Sequence, residues 1–454
     1  MRKLKLIRKR GGGPFDSAPG LLFVGRLDLP RRTAIERSER RNRRVQEYDL
    51  IIVGGGIGGS ALATVMAGAG KSVLLLEQSL VFEDKVRGEW IAPWGVAEVR
   101  RVGLYELLME AGGHHITRHI TYDETLEPAA AEASALPLGA FTPGVPGPLC
   151  LRHPVHCQTL FDAAKAAGAT ALRGVNVVSF SVGDAPGVTY EVEGQTFQAT
   201  ARLLVGADGR TSQVREAAQI PLHQDKPHHW FGGLLVDGVE GWDDSLQAIG
   251  TEGDFGFLAF PQGGGRVRVY GGYALEQNQR FRGPDGARRF LDAFAMTCSP
   301  GNRHLVDGHP AGPLFSYFNN DSWTDQPFAK GVVLVGDAAG WNDPIVGLGL
   351  SITYRDVRIV SELLKADDDW ASMSFAPYAE ERAERMRRLR FAASLQAAID
   401  MEFGEAAKAR RRRIFEQSAA DPSLRAHGFA VMAGPEALPP EMFTEEHRAR
   451  VLGA

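Results

Sequence analysis

The sequence predicts an α/β fold: a Rossmann-like nucleotide-binding domain, an inserted antiparallel β-sheet domain and C-terminal helices. Three observations predict it. A strand–glycine turn–helix–strand unit opens at Asp49, two more strand–turn–acid units follow near 202 and 331, and residues 228–273 alternate apolar runs with turns. A chain of 454 residues suits two or three domains or one composite fold. Its 44% hydrophobic and 23% charged residues describe a globular chain, neither disordered nor fibrous.

Charge is unevenly spread. Residues 1–46 hold 14 Lys and Arg against 4 Asp and Glu, whereas the other 408 hold 37 against 51. The first segment reads as a basic, disordered leader, because Leu4, Leu6 and Ile7 are too interleaved with charge for a secretory signal. The acidic body argues against nucleic acid as a partner, since that affinity comes from neutralising phosphates. Cys150, Cys157 and Cys298 form no CxxC pair, which points to a reducing, cytoplasmic setting. Two uncharged stretches, 50–70 and 133–151, are too rich in glycine and proline respectively to be membrane spans.

Asp49–Val53 is a β-branched run suited to a strand buried on both faces. Gly54-Gly55-Gly56-Ile57-Gly58-Gly59 follows, then a small-residue helix to Gly68 with Gly70 beyond its end, then a second buried strand closing on Glu77. Each part has a task. Gly54 permits the tight turn, Gly56 lets backbone approach a pyrophosphate, and Gly59 lets helix pack on strand. The helix N-terminus offers N–H groups to phosphates, and Glu77 is spaced to accept from a ribose. These features mark a dinucleotide site.

Two later segments decide which dinucleotide. Residues 202–215 read RLLVGADGRTSQVR and residues 331–349 read GVVLVGDAAGWNDPIVGLG. With the first turn, they resemble the flavoprotein monooxygenases of the para-hydroxybenzoate hydroxylase type, the group A FAD-dependent enzymes, over about residues 48–400. The resemblance implies that Gly54, Gly56, Gly58, Gly59 and Glu77 hold the ADP half of FAD. It places Asp208 with Gly209, Ser212 and Arg215 in the second motif. Gly336 and Asp337 fall at the ribose or ribityl chain, and Pro344, Gly347 and Gly349 beside the isoalloxazine. Arg87, in Arg87-Gly88-Glu89, and Arg152, opening a helix that carries Gln158, match segments passing near the cofactor. One departure is Gly340, where the family usually has histidine.

The implied activity is an FAD-dependent monooxygenase. NADH or NADPH reduces the flavin, a flavin C4a-hydroperoxide forms with O2, and a small aromatic or polyketide-like substrate is hydroxylated or epoxidised. Pro344 and Gly347 are the expected flavin-edge positions, with no side-chain acid or base assigned. The alternative is an FAD-dependent reductase or dehydrogenase of the geranylgeranyl-reductase-like type. The tryptophan motif and lysine of flavin halogenases are not recognisable.

The rest fills in around these motifs. Phe231–Val236, Gln247–Gly250, Phe255–Phe260 and Val267–Tyr270 read as antiparallel strands, with a hairpin at 262–265. Residues 353–367 and 377–417 read as helices, and Lys408–Arg413 as a solvated face. His115 and His119 have metal-like helical spacing but lack a third ligand, so no metal is expected. His153, His156, His228 and His229 read as polar or capping residues, and Trp90, Trp94 and Trp230 as packing or pocket walls. The expected domains are a leader at 1–46, an FAD-binding domain at 47–225 and 315–375, a substrate-side sheet at 226–314 and a helical region at 376–454. A small-molecule substrate and O2 are the expected partners, and nothing specifies an oligomeric state.

Overall fold

In the computed structural model, which describes residues 45–86, 88–370 and 373–453, the opening strand Gln46–Val53 lies inside an eight-stranded sheet. Of the expected leader only Val45 and Gln46 are described, and Gln46 already belongs to that strand. The sheet runs Phe328–Ala329, Val332–Leu334, Gln195–Gly206, Gln46–Val53, Val73–Glu77, Thr170–Arg173. The last five pair in parallel. Leu50, Ile51 and Ile52 are fully buried and every residue of Val73–Glu77 is buried, as a strand covered on both faces requires. An antiparallel extension, Asn176–Ser181 and Gly187–Val192, grows from the long strand Gln195–Gly206.

The second sheet is built on His229–Asp237, Leu246–Glu252, Phe255–Gly263 and Arg266–Tyr273, the four strands expected from the apolar alternation. It is larger than segment 226–314. Arg118–Asp123 joins it beside Leu246–Glu252, in parallel, and Phe315–Asn319 joins it beside His229–Asp237. The sheet is therefore mixed, not purely antiparallel. Residue 118 lies far upstream in sequence, so local alternation held no sign of this pairing.

The C-terminal region corrects two expectations. Helix 377–417 is in fact two helices, Ala376–Asp400 and Glu405–Gln417, broken where Gly404 adopts φ +90°. The Lys408–Arg413 run is not simply solvated. Arg411 is 1% exposed, and its Nε donates to Asp123 Oδ2 at 2.6 Å while Nη2 donates to Glu124 Oε1 at 2.8 Å. That pair ties the C-terminal helices to the second sheet. His115 and His119 also lie on strands rather than a helix: His115 bonds Tyr105 Oη and His119 bonds Thr121 Oγ1. Among the described residues no helix is long and apolar enough to cross a membrane.

Removing one partner of a buried ion pair strands the other charge, at a cost of about 3–5 kcal/mol. Arg411→Ala should lower unfolding stability by that order. Arg412→Ala, at the exposed next position, should change it by less than about 0.5 kcal/mol. Urea titrations of the two variants would settle the matter; equal effects would contradict the buried role of Arg411.

Candidate functional site

Three turns leave the first sheet side by side at the C-terminal ends of neighbouring parallel strands. Gly54 N–H donates to Leu76 O, Ala207 N–H to Val53 O and Val335 N–H to Gly206 O, all at 2.8–2.9 Å. This edge is where an open α/β sheet binds ligands. The first turn needs its glycines. Gly54 has φ +100°, and a Cβ there would meet Ala207 O at 2.3 Å; a Cβ on Gly59 would meet Gly54 O at 1.9 Å. At Gly56 a Cβ would meet nothing within 4 Å, so this backbone faces open space. The helix Ile57–Gly68 begins there with no side-chain cap, which leaves its first-turn N–H groups to an anion.

Glu77 is buried at the end of the second strand. Its Oε2 accepts from Gly55 N–H and its Oε1 from Ser79 N–H, both at 2.7 Å. The carboxylate thus braces the glycine turn, and each oxygen keeps a lone pair for a further donor. Asp208 is more heavily engaged. It accepts from Ser212 Oγ at 2.5 Å, Gln213 N–H at 2.7 Å and Val214 N–H at 3.2 Å, so its work is to cap helix Gln213–Ala217. Arg215 then donates Nη1 to Ala338 O at 3.0 Å, joining the second turn to the third.

The third turn is held from behind. Gly336 has φ +60°, and its N–H donates to Asp356 Oδ2 at 2.9 Å. Arg382 donates Nε to the same Oδ2 at 3.1 Å and spends its remaining donors on the carbonyls of Gly336, Ala339 and Gly340. Arg385 takes Asp356 Oδ1 at 2.7 Å. Burial opposes the charge of Asp356, but the two guanidinium groups outweigh it and hold the carboxyl below its ordinary value. Gly340, the position of the family's histidine, has φ +110°, and a Cβ there would meet Ser322 O at 2.5 Å. Any side chain is excluded at this place in the chain. Asp337 points outward, half-exposed, with Arg210 Nε 3.3 Å from its Oδ2.

Pro344–Val346 forms a single tight turn, ended by Gly347 at φ +65°. Asp343 opens it, accepting from Ile345 N–H at 2.9 Å. Gly349 starts helix Gly349–Ala366. Against this turn stands an aromatic wall: Trp90, Phe231 and Phe260 cluster with Ile345 and Val346, and Tyr270 and Tyr317 pack alongside. A Cβ on Gly347 would lie 3.2 Å from Trp90 Cε3, so that side of the turn is already filled by indole. Trp90 is fixed by its Nε1, which donates to Gln247 Oε1 at 2.8 Å.

Of the residues expected at the site, Gly54, Gly56, Gly58, Gly59, Glu77, Asp208, Gly336 and Asp337 share the one sheet edge. A Cβ on Gly58 and one on Gly336 would each meet Thr353, of helix Gly349–Ala366, at 2.9 and 3.0 Å. Arg152 precedes helix His153–Ala166, and its Nε is buried without a hydrogen-bond partner among the described residues. Gln158 instead bonds Asp162 on its own helix. Arg87 lies outside the described residues. Sequence reasoning missed Arg210, Asp356, Arg382 and Arg268, which donates to the buried Glu89 at 2.7 Å and to the part-buried Asp84 at 2.6 Å. It also missed that His228, His229 and Asp343 bring three possible cation ligands within 4.8 Å of one another.

The sequence profile of the FAD binding domain family matches residues 47–393. The chain belongs to that family, and its cofactor is FAD. Mouse (Mus musculus) squalene monooxygenase is 25% identical over 332 residues, 71% of this chain and 55% of that protein. The chain thus aligns to little more than half the length of such curated relatives. The 3-hydroxybenzoate 6-hydroxylase of Klebsiella oxytoca is 25% identical over 352 residues, 75% of this chain and 85% of that one. The crystal structure of p-nitrophenol 4-monooxygenase PnpA from Pseudomonas putida DLL-E4 superposes with a TM-score of 0.70 at 17% identity, covering 89% of this chain and 98% of the other. The residues at the sheet edge fit FAD on their own terms: an uncapped helix start, open space at Gly56 and the orphaned Arg152 Nε all suit a diphosphate-bearing ligand.

A branched side chain at position 347 must adopt a left-handed conformation, costing on the order of 1–3 kcal/mol, and press on Trp90. Gly347→Val should retain the secondary structure, lower the melting temperature and reduce the flavin bound per chain, with Gly347→Ala between it and the wild type. Absorbance and thermal melts check this. A valine variant with wild-type flavin content and melting temperature would show that the turn tolerates a side chain.

Proposed function

We propose that the protein is an FAD-dependent monooxygenase that uses NAD(P)H and O2 to hydroxylate or epoxidise a small, largely apolar molecule. The observation that carries the reading is the meeting of the Pro344–Gly349 turn with the wall of Trp90, Phe231, Phe260, Tyr270 and Tyr317. Bound FAD would accept electrons from NAD(P)H and activate O2. The chain supplies position, dryness and electrostatics.

Gly54, Gly56, Gly58 and Gly59 would bring backbone N–H groups to the diphosphate, with Glu77 at the adenosine ribose and Asp337 at the flavin-side polyol. Arg152 would give its free Nε to a phosphate or the flavin ring. Asp208 acts indirectly, by fixing the second turn. Pro344, Gly347 and Gly349 would present backbone to the ring edge. The second sheet would close over the substrate with its aromatic face, which excludes water and favours flat or hydrocarbon groups. The Klebsiella relative is named for hydroxylation and the mouse relative for monooxygenation.

The purified protein should release FAD, not FMN, on denaturation. Glu77→Ala removes an acceptor for ribose hydroxyls and for Gly55 N–H, so FAD affinity of the apoprotein should fall roughly ten- to a hundredfold. Fluorescence titration with FAD measures this, and an unchanged dissociation constant would remove Glu77 from the site. Screening aromatic and polyketide-like compounds for stimulated NAD(P)H oxidation coupled to O2 uptake tests the activity. Substrate-dependent turnover without O2 uptake would favour the reductase reading.

A further inference from the structure

Buried carboxylates fall into two sets. Glu89, Glu98, Asp123 and Asp356 each sit against an arginine at 3.1 Å or less. Asp343, 1% exposed, has no arginine or lysine within ion-pair distance among the described residues, and Arg210 acts on it only from farther off. A buried carboxylate without a cation against it is costly, so another positive charge is called for.

The atoms around Asp343 are rich in acceptors and poor in donors. Its Oδ1 caps Ile345 N–H at 2.9 Å, while its Oδ2 is buried with no hydrogen-bond partner among the described residues. Asn319, fully buried, interacts with the same carboxyl, and its Oδ1 also lacks a partner. So does Oδ1 of Asn342, the preceding residue in the chain. Asn342 Nδ2 and Asp343 N–H both donate to Asp321 Oδ1, at 2.6 and 2.8 Å, which adds a second buried acid to the group. Buried acceptors normally have donors, and a cluster of them without any suits a cation.

Two histidines complete the arrangement. His229, 1% exposed, opens strand His229–Asp237, and His228, 34% exposed, precedes it. His228 Nδ1 lies 3.7 Å from Asp343 Oδ2, and His229 Nε2 lies 4.0 Å from Asp343 Oδ1. One ligand atom from each of the three residues falls within 4.8 Å of the others. Neither histidine is at hydrogen-bond distance from the carboxylate, so the groups converge without bonding one another.

We propose that His228, His229 and Asp343 form a site for one divalent transition-metal ion, with zinc the ion they suit best. The donor set makes the choice. Two imidazole nitrogens and one carboxylate oxygen suit zinc and its first-row neighbours, whereas magnesium and calcium take oxygen ligands. Three protein ligands leave a fourth position for water. Zinc bonds of about 2.0–2.2 Å place tetrahedral ligand atoms about 3.3 Å apart, so the group tightens on loading, and the part-exposed His228 has the freedom to move. Asn319 Nδ2 now donates to His229 Nε2 at 2.9 Å, a neutral hydrogen bond that the metal–nitrogen bond replaces. The bound ion clips the second sheet, through His228 and His229, to the Pro344–Val346 turn, through Asp343. All three ligands are protein atoms, so the site holds whichever reaction the flavin performs.

The test uses the full-length, FAD-loaded protein, stripped with a chelator and titrated with zinc chloride against a zinc-sensing dye. The wild type should bind one zinc per chain by elemental analysis, with X-ray absorption at the zinc edge showing imidazole and oxygen ligands and no sulfur. At about a hundred times its dissociation constant, zinc should raise the melting temperature by roughly 2–4 °C. Asp343→Asn and His228→Gln should each weaken zinc binding by on the order of a hundredfold and lose the thermal shift, with FAD content unchanged in His228→Gln. His223→Gln, at an exposed histidine paired with Asp325, should bind zinc like the wild type. A wild type that retains no zinc at this ratio overturns the assignment, as do variants at 228 and 343 that bind it as tightly as the wild type. So does millimolar magnesium giving the same thermal shift, because the imidazoles would then take no part. Should Asp343→Asn fail to fold, His228→Gln decides, and none of these readouts depends on turnover.

Discussion

One buried ion cluster, Asp356 with Arg382 and Arg385, holds the third glycine turn in place. Gly336 and Gly340 both have positive φ, and the turn between them exposes carbonyls that no helix or strand satisfies. Arg382, 2% exposed, answers the carbonyls of Gly336, Ala339 and Gly340, and Asp356 answers the Gly336 N–H. A buried guanidinium is tolerable only because Asp356 is there, and Asp356 stays ionised only because the arginines are. Sequence positions 336, 356 and 382 therefore form one unit, and the placement of Asp337 follows from it.

The same logic, carried through the molecule, separates scaffold from site. Arg268 joins the second sheet to Glu89 and Asp84 of the segment that follows strand Val73–Glu77, and Arg411 joins Asp123 where the C-terminal helices meet the second sheet. These pairs spend their charge on each other. Groups with unspent capacity lie elsewhere: Arg152 Nε, the half-exposed Asp337 and the Asp343 Oδ2. They gather around the turns at the sheet edge and the aromatic wall, which is why the polar features there read as functional and those at the junctions as structural.

What was legible in the sequence was local. Gly54, Gly59 and Glu77 sit at fixed spacings because a tight turn, a close helix and a carboxylate that accepts from Gly55 N–H demand them, so the first sheet could be read from one short stretch. Gly347 was legible as a glycine in a turn after Pro344; its positive φ and the Trp90 indole that a side chain there would meet show only in the fold. Arg382 and Arg411 were hidden because Glu- and Arg-rich helices look solvated whichever face they turn inward. Spacing alone also misplaced His115 and His119, since an interval of four has meaning only on a helix. Asp343 stood in plain view beside Pro344, yet that no arginine or lysine of the described residues pairs with it shows only in the fold.

The dependence of the cofactor grip on the buried cluster is open to a double-mutant cycle. Arg382→Met, Asp356→Asn and the double variant would be compared for FAD dissociation constant and unfolding free energy. If the pair acts as one unit, either single change should weaken FAD binding and lower stability, and the double should be little worse than the poorer single, with a coupling energy of about 1–3 kcal/mol. Strictly additive losses of stability, with FAD affinity unchanged in all three proteins, would contradict the account.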